Sequence, residues 1–164
     1  MQNPRLNRAI FMLSLVGLMV AGYLWKMHAN PADIPCGGGN ECETVANSPY
    51  SRFPTGSGPP VAMYGTLGYL AILILSFLRT LGSPARLGPR DTTLLVLLTA
   101  AAAFGTAASL YLTTMELTVI HAICRWCIGS QVIIGVVFAL AVADLSRTRA
   151  ASKRIVSAGN GGNE

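Results

Sequence analysis

The sequence predicts an all-α membrane protein: a four-transmembrane-helix bundle with an extracytoplasmic cysteine-bearing loop. Charged residues make up 12% of the 164 residues and hydrophobic residues 52%, whereas soluble domains carry about 25% charged residues. Four apolar stretches are each long enough to cross a hydrocarbon core of ~30 Å as a helix. Most basic residues flank these stretches on one side, as the positive-inside rule requires of a multi-pass protein.

The four predicted spans cover about residues 8–27, 61–81, 92–117 and 124–145. Two prolines precede the second span, where they favour the first turn of a helix. The segment RTLGSPARLGPRD predicts a short turn between the second and third spans. We therefore expect one membrane domain over residues 1–150. The polar, Gly-rich residues 151–164 are expected to form a disordered cytoplasmic tail.

The basic residues also orient the predicted bundle. Nine of the twelve lie at the ends of spans that share one side: Arg5, Arg8, Arg79, Arg86, Arg90, Arg147, Arg149, Lys153 and Arg154. By the positive-inside rule both termini are cytoplasmic, in an inner (cytoplasmic) membrane. The segment before the second span then faces the periplasm or exterior, where disulfides persist. A cleaved signal peptide over residues 1–29 is disfavoured, because its apolar run exceeds the usual 7–15 residues.

Four cysteines form two pairs on that outer side. Cys36 and Cys42 form a C-x5-C in the polar loop, and Cys124 and Cys127 form a C-x2-C where the last span begins. Cysteines three apart at a helix N-terminus share one face, where the helix dipole and Arg125 stabilise a thiolate. We expect Cys127 to be that thiolate. Two pairs on one face suit thiol–disulfide exchange.

A non-catalytic interpretation stays open at this point. The cysteines of such a membrane protein could form structural disulfides or an all-thiolate zinc site. The C-x5-C fits the short zinc knuckles poorly and no histidine stands at ligand spacing, so no metal is predicted. A DsbB-type quinone oxidase is a rival within the catalytic class, but its first loop would carry a C-x2-C.

The order of these residues resembles the vitamin K epoxide reductase family and its bacterial homologues. The resemblance covers about residues 8–145 and rests, in chain order, on Cys36, Cys42, Ser48, Tyr64-Gly65, Cys124 and Cys127. It implies a four-helix bundle that encloses a quinone beside the membrane-proximal cysteine pair. It also implies a loop pair that relays electrons from a thioredoxin-like partner.

The resemblance further implies a role for each cysteine. Cys36 would meet the partner, Cys42 would exchange with Cys124, and Cys127 would lie beside the quinone, ubiquinone or menaquinone. The implied function is to reoxidise a thioredoxin-like (DsbA-type) protein and so support disulfide-bond formation. No fused thioredoxin-like domain follows the spans in this sequence, so we expect the partner to be a separate protein.

Further residues are expected to support the site. By the same resemblance Ser48 would form hydrogen bonds near it. Tyr111 and His121, which lie near the outer face beside the C-x2-C, and Gln131 are candidates for quinone contact. The vertebrate enzyme has a tyrosine where this chain has Gln131, and an asparagine where it has Val61. These departures favour a bacterial quinone-linked role over vitamin K epoxide reduction.

Two other features predict structure. Glu116 is expected to mark the edge of the third span, because a carboxylate at the bilayer centre is costly. The segment ETVANSPYSRF is expected to form a short helix or turn against the membrane surface, with Val45, Tyr50 and Phe53 turned inward.

Overall fold

The computed structural model describes residues 4–31, 36, 39–81 and 89–160. These residues form five α-helices: α1 (Pro4–Met27), α2 (Glu41–Asn47), α3 (Val61–Leu81), α4 (Pro89–Met115) and α5 (Arg125–Asn160). A 3-10 turn at Pro49–Ser51 follows α2, and α4 continues directly into a π-helix at Glu116–Ile120.

Four helical segments are long and apolar enough to cross a membrane: Pro4–Met27, Val61–Leu81, Arg90–Ile120 and Arg125–Ala151. They confirm the predicted all-α, four-span fold. The first helix begins before the predicted residue 8, because Pro4 suits the first turn of a helix. The third span is longer than predicted because the π-helix extends it past residue 117.

The last helix ends later than the sequence predicts. The predicted span stops near residue 145 and residues 151–164 are expected to be disordered, but the backbone of α5 is helical to Asn160. The stretch AASKRIVSA contains neither Pro nor Gly, and Ala, Lys and Arg extend helices well. The disorder prediction for residues 161–164, and the turn predicted over 82–88, lie outside the described residues.

Small residues set how closely the spans approach. The most extensive helix–helix contact is between α1 and α3, and α5 completes the bundle by packing on α1 and α4. Gly17 of α1 leaves no room for a Cβ, because the Tyr69 ring of α3 fills that place. A Cβ on Gly105 of α4 would lie 3.2 Å from Cγ1 of Ile134 in α5. Such residues let membrane helices pack closely.

A buried polar cluster joins all four spans at one end of the bundle. Arg79 in α3 forms ion pairs of 3.0 Å with Asp91 of α4 and Asp144 of α5. Its guanidinium also donates to Oδ1 of Asn7 in α1 at 3.2 Å, and Asn7 donates to the carbonyl of Ser76 at 3.0 Å. Arg79, which the sequence analysis counts only among the charges that set the topology, is therefore a buried residue that links the helices.

Candidate functional site

Both cysteine pairs lie in one buried cluster at the opposite end of the bundle from Arg79. Its buried members come from α2 and from the residues before α5: Cys42, Val45, Ala46, Ala122 and Cys124. Cys36, Trp126 and Cys127 pack against it. The fold therefore brings together the four cysteines that the sequence places far apart.

The outer pair forms a disulfide that closes over the start of α2. The Cα atoms of Cys36 and Cys42 lie 5.8 Å apart, and the backbone N–H of Cys42 donates to Sγ of Cys36 at 3.2 Å. Cys42 is buried against the inner pair, whereas Cys36 is partly exposed. Of the two sulfur-bearing residues, Cys36 is the one that another protein can reach.

The inner pair consists of two free thiols. Cys124 directly precedes α5, and the backbone N–H of Cys127 donates to its Sγ at 3.3 Å. The pKa of Cys124 is lowered, chiefly by the side-chain hydrogen bond from Cys127 and also by backbone N–H groups, although burial opposes the shift. The Cys127 thiol, together with N–H groups at the start of α5, thus favours the thiolate form of Cys124. The sequence assigns that thiolate to Cys127.

Glu116 connects the two inner cysteines. It begins the π-helix and is buried, with 5% of its surface exposed. Its Oε2 accepts from the backbone N–H of Cys124 at 3.3 Å, and its carboxylate also interacts electrostatically with the Cys127 thiol. The expectation that Glu116 only marks a span edge misses this role. One signal was available: Glu116 is the only acidic residue between Asp91 and Asp144, and ionisable residues within spans often mark functional sites.

The backbone around Glu116 departs from a regular helix. The π-helix ends at His121, which adopts the left-handed conformation with φ 54°, and the N–H of Ala122 donates to the carbonyl of Glu116 at 3.3 Å. Both π-turns and left-handed non-glycine residues concentrate at functional sites. The distortion turns the chain from α4 back toward Cys124.

A cavity of about 260 Å³ lies inside the bundle beside Cys127. All four spans contribute to its lining, which is mostly apolar, and Glu116 and Ser48 add polar groups. The hydroxyl oxygen of Ser48 is buried without a hydrogen-bond partner among the described residues. An apolar cavity with a few placed polar groups is typical of small-molecule sites. The volume of this one is close to the lower end of the usual range, about 300 Å³.

The cavity extends to the outer surface of the bundle. Phe104 of α4 and Tyr64 of α3 both line it, and they are 78% and 43% exposed. Phe104 precedes Glu116 by twelve positions, or about 18 Å along the helix at 1.5 Å per residue. The opening beside Phe104 therefore lies within the membrane-spanning part of α4.

Four other residues predicted for the site are absent from the cavity lining. Tyr111 is 57% exposed on α4, and His121 and Arg125 are also exposed. Gln131 reaches the lining through Thr113, whose hydroxyl donates to Oε1 of Gln131 at 2.5 Å. Of these four, Gln131 has the most direct connection to the cavity.

The loop segment after Cys42 largely follows its prediction. It forms α2 and the short turn, with Val45 buried and Tyr50 in the cavity lining. Phe53, expected inward, is 64% exposed. Its ring instead packs edge-on against Tyr64 at the bundle surface, with ring centroids 6.2 Å apart.

The sequence model of the vitamin K epoxide reductase family matches residues 8–142, well over half of the chain. The chain belongs to the vitamin K epoxide reductase family. Membership confirms the resemblance seen in the cysteine pattern. It makes the protein a multi-pass membrane thiol oxidoreductase of a quinone-associated family.

The matched range includes all four cysteines, Ser48 and Glu116. Comparison with curated proteins gives no match. Within the described residues, no three His, Cys, Asp or Glu side chains are grouped as a metal ion would need.

Proposed function

We propose that this family member is a quinone-linked thiol oxidoreductase that reoxidises a separate thioredoxin-like (DsbA-type) partner and so supports disulfide-bond formation. One observation carries the proposal: the cysteine cluster is continuous from partly exposed Cys36 to Cys127, and Cys127 lines the apolar cavity. A path from an external thiol to a membrane-dissolved acceptor needs this continuity.

The cysteines suit two successive exchanges, each moving two electrons. A partner thiolate attacks Cys36, and the partner's second thiol then releases the reduced outer pair. The Cys42 thiolate next attacks Cys124 of an inner disulfide, and Cys127 leaves. Cys36 then closes the outer disulfide and frees Cys124. The disulfide and free thiols of the structure correspond to this stage, in which the inner pair carries the electrons.

The cavity lining suits a quinone ring. Its apolar walls match a planar ring with an isoprenoid chain, and the unpartnered hydroxyl of Ser48 can donate to a carbonyl oxygen. When bound, ubiquinone or menaquinone would accept two electrons and two protons. Ser48 would orient it, and the surrounding apolar side chains would exclude water.

We also propose that both termini are cytoplasmic and that the cysteine cluster faces the periplasm or exterior. The support is the basic residues that flank the spans at the opposite end from the cysteines. Reporter fusions at each terminus test this orientation. An extracytoplasmic terminus would contradict it, because the cysteines would then face a reducing compartment.

The decisive experiment measures quinone reduction by the purified protein with a reduced thioredoxin-like partner. We expect turnover by the wild type and none by Cys127→Ser, with unchanged thermal unfolding of the variant. Wild-type turnover by Cys127→Ser would overturn the proposal. Stoichiometric zinc in a protein without turnover would favour the structural alternative.

The outer pair has its own test. In a Cys42→Ser variant Cys36 is a free thiol, and its thiolate can attack the disulfide of an oxidised partner. Without Cys42 to complete the exchange, a mixed disulfide between Cys36 and the partner should accumulate. Non-reducing electrophoresis followed by peptide mapping identifies the linked cysteine. Trapping in Cys36→Ser through Cys42 would reverse the order of the outer pair.

A further inference from the structure

We infer that Glu116 is a catalytic residue, which accepts the proton of the Cys127 thiol as the inner pair is oxidised and delivers it to the reduced quinone. The inference rests on the proposed function and assigns the proton path that this function requires. The motivating observation is the contact of one buried carboxylate with both inner cysteines and with the cavity.

The two contacts of Glu116 have different functions. The backbone N–H of Cys124 holds Oε2 and fixes the carboxylate at the start of α5. The interaction with the Cys127 thiol places a proton acceptor beside the one cysteine that lines the cavity. A residue that only capped α5 would need the first contact and not the second.

The environment of Glu116 is unusual for a structural carboxylate. It is nearly fully buried, and among the described residues its partners are an N–H and an S–H group, without a cation. Burying a charge in this way is costly. The π-helix and left-handed His121 that place it add further strain, and such arrangements concentrate at functional sites.

The proton and electron count is complete. The Cys124 thiolate and the Cys127 thiol lose two electrons in total as their S–S bond forms and the S–H bond of Cys127 breaks. That proton passes to Glu116 and then to one oxygen of the quinone. The second proton comes from water at the membrane face. The products are one disulfide, one quinol and a restored Glu116 carboxylate.

Few other titratable groups face this site in the described structure. From α5 and the residue before it they are Cys127 and Cys124, and Arg125 between them is exposed. From α1 and α2 the lining receives only apolar side chains. The tyrosines that line the cavity from the loop and α3 are Tyr50, Tyr64 and Tyr69. A neutral phenol is a very weak base, and His28 is joined to the lining through the Ser51 hydroxyl at 3.3 Å. Glu116 is the carboxylate in the lining, and it is the group placed to accept the Cys127 proton.

The first test separates the two half-reactions in Glu116→Gln, with Glu41→Gln as a matched control on the exposed start of α2. Reduction of the inner pair by the partner should be unchanged in both variants. Quinone reduction in Glu116→Gln should fall about 100-fold or more, the usual size of a general acid–base effect.

The second test needs no quinone. Trypsin cuts after Arg125 and so puts Cys124 and Cys127 on separate peptides, and mass spectrometry then follows iodoacetamide labelling of each thiol across pH. The carboxylate of Glu116 opposes loss of the Cys127 proton. We expect Cys127 labelling to begin at lower pH in Glu116→Gln than in the wild type and in Glu41→Gln.

The outcomes are distinct. A folded Glu116→Gln that keeps wild-type quinone reduction overturns the inference, as does a Cys127 labelling profile that is the same in the wild type and in Glu116→Gln. Equal losses in both half-reactions would show a structural cap instead.

If Glu116→Gln does not fold, Glu116→Asp decides by the same comparison: a slowed quinone step with normal partner exchange is expected. Absent quinone reduction in the wild type would overturn the proposed function, and the labelling test would still decide whether Glu116 shares the Cys127 proton.

Discussion

Ser48 and Ser51 show how two neighbouring hydroxyls serve different purposes. The Ser51 hydroxyl lies 2.7 Å from the carbonyl oxygen of Ala46 and 2.8 Å from that of Ser48. The buried Ser48 hydroxyl oxygen has no partner among the described residues and faces the cavity. Buried polar groups are almost always paired. The unpaired one is therefore the group left available to a bound molecule.

Replacing Ser48 with Ala should weaken quinone binding without weakening the fold. We expect the KM for quinone to rise roughly 2- to 10-fold, the equivalent of one hydrogen bond, with kcat little changed and Tm not lowered. In the control Ser51→Ala, Tm should fall, because that hydroxyl is paired within the loop. A lower Tm and an unchanged KM in Ser48→Ala would assign its hydroxyl to the fold instead.

At the residue scale the sequence predicts the two cysteine pairs but not which cysteine of the inner pair is the thiolate. The spacing of Cys124 and Cys127 places both at the start of a helix. Which sulfur receives the N–H groups depends on the residue at which the helix begins, and helix ends are hard to locate from sequence. The role of Glu116 was missed for a similar reason. Its carboxylate reaches the thiols because of a π-turn, and no glycine or proline in the sequence predicts that turn.

The π-helix and the left-handed residue after it form the element that positions the inner pair. Left-handed backbone costs an ordinary L-residue roughly 1–2 kcal/mol, glycine almost nothing, and asparagine adopts it more readily than most. His121 has this conformation and an exposed side chain. Its backbone, and not its imidazole, is therefore the part that the structure uses.

Substitutions at His121 distinguish these two roles. We expect His121→Gly and His121→Asn to keep quinone reduction and thermal stability, because both tolerate positive φ. His121→Val should lower Tm and slow turnover, because a β-branched residue resists this conformation. Loss of turnover in folded His121→Gly would instead indicate that the imidazole takes part in proton transfer.

At the element scale, the spans were predictable because an apolar run must match the membrane thickness. The starts of α3 and α5 agree with their predictions within a residue. The end of α5 was not predictable, because a polar, helix-forming segment continues it without a stop signal until Gly159. The inward direction of Phe53 failed because a surface ring, Tyr64, offered it an alternative packing partner.

The whole bundle is joined at one end by the buried ionic cluster around Arg79. Removing one member of a buried ion pair leaves a charge in a low-dielectric interior and typically costs about 3–5 kcal/mol. We therefore expect Arg79→Ala to lower the free energy of unfolding in detergent by about that amount. Arg90→Ala, on the exposed start of α4, is the control and should have little effect.

The double variant Arg79→Leu/Asp144→Leu should lose less stability than the sum of its single changes, because each removes the charge that the other leaves unpaired. Strict additivity would mean that the pair does not act as a unit. The sequence shows these charges but assigns Arg79 to topology, since residues 79 and 144 meet only once the helices are packed.

Because Phe104 is exposed at the cavity wall, the quinone concentration that determines the reaction rate is the concentration in the lipid phase and not in bulk water. The cavity's opening lies within the span, so under the proposed function the acceptor enters from the lipid phase and not from bulk water. Saturation then depends on the number of quinone molecules per lipid or detergent molecule. Adding detergent at fixed quinone should raise the apparent KM expressed in bulk units, while the same constant expressed as a mole fraction should stay unchanged.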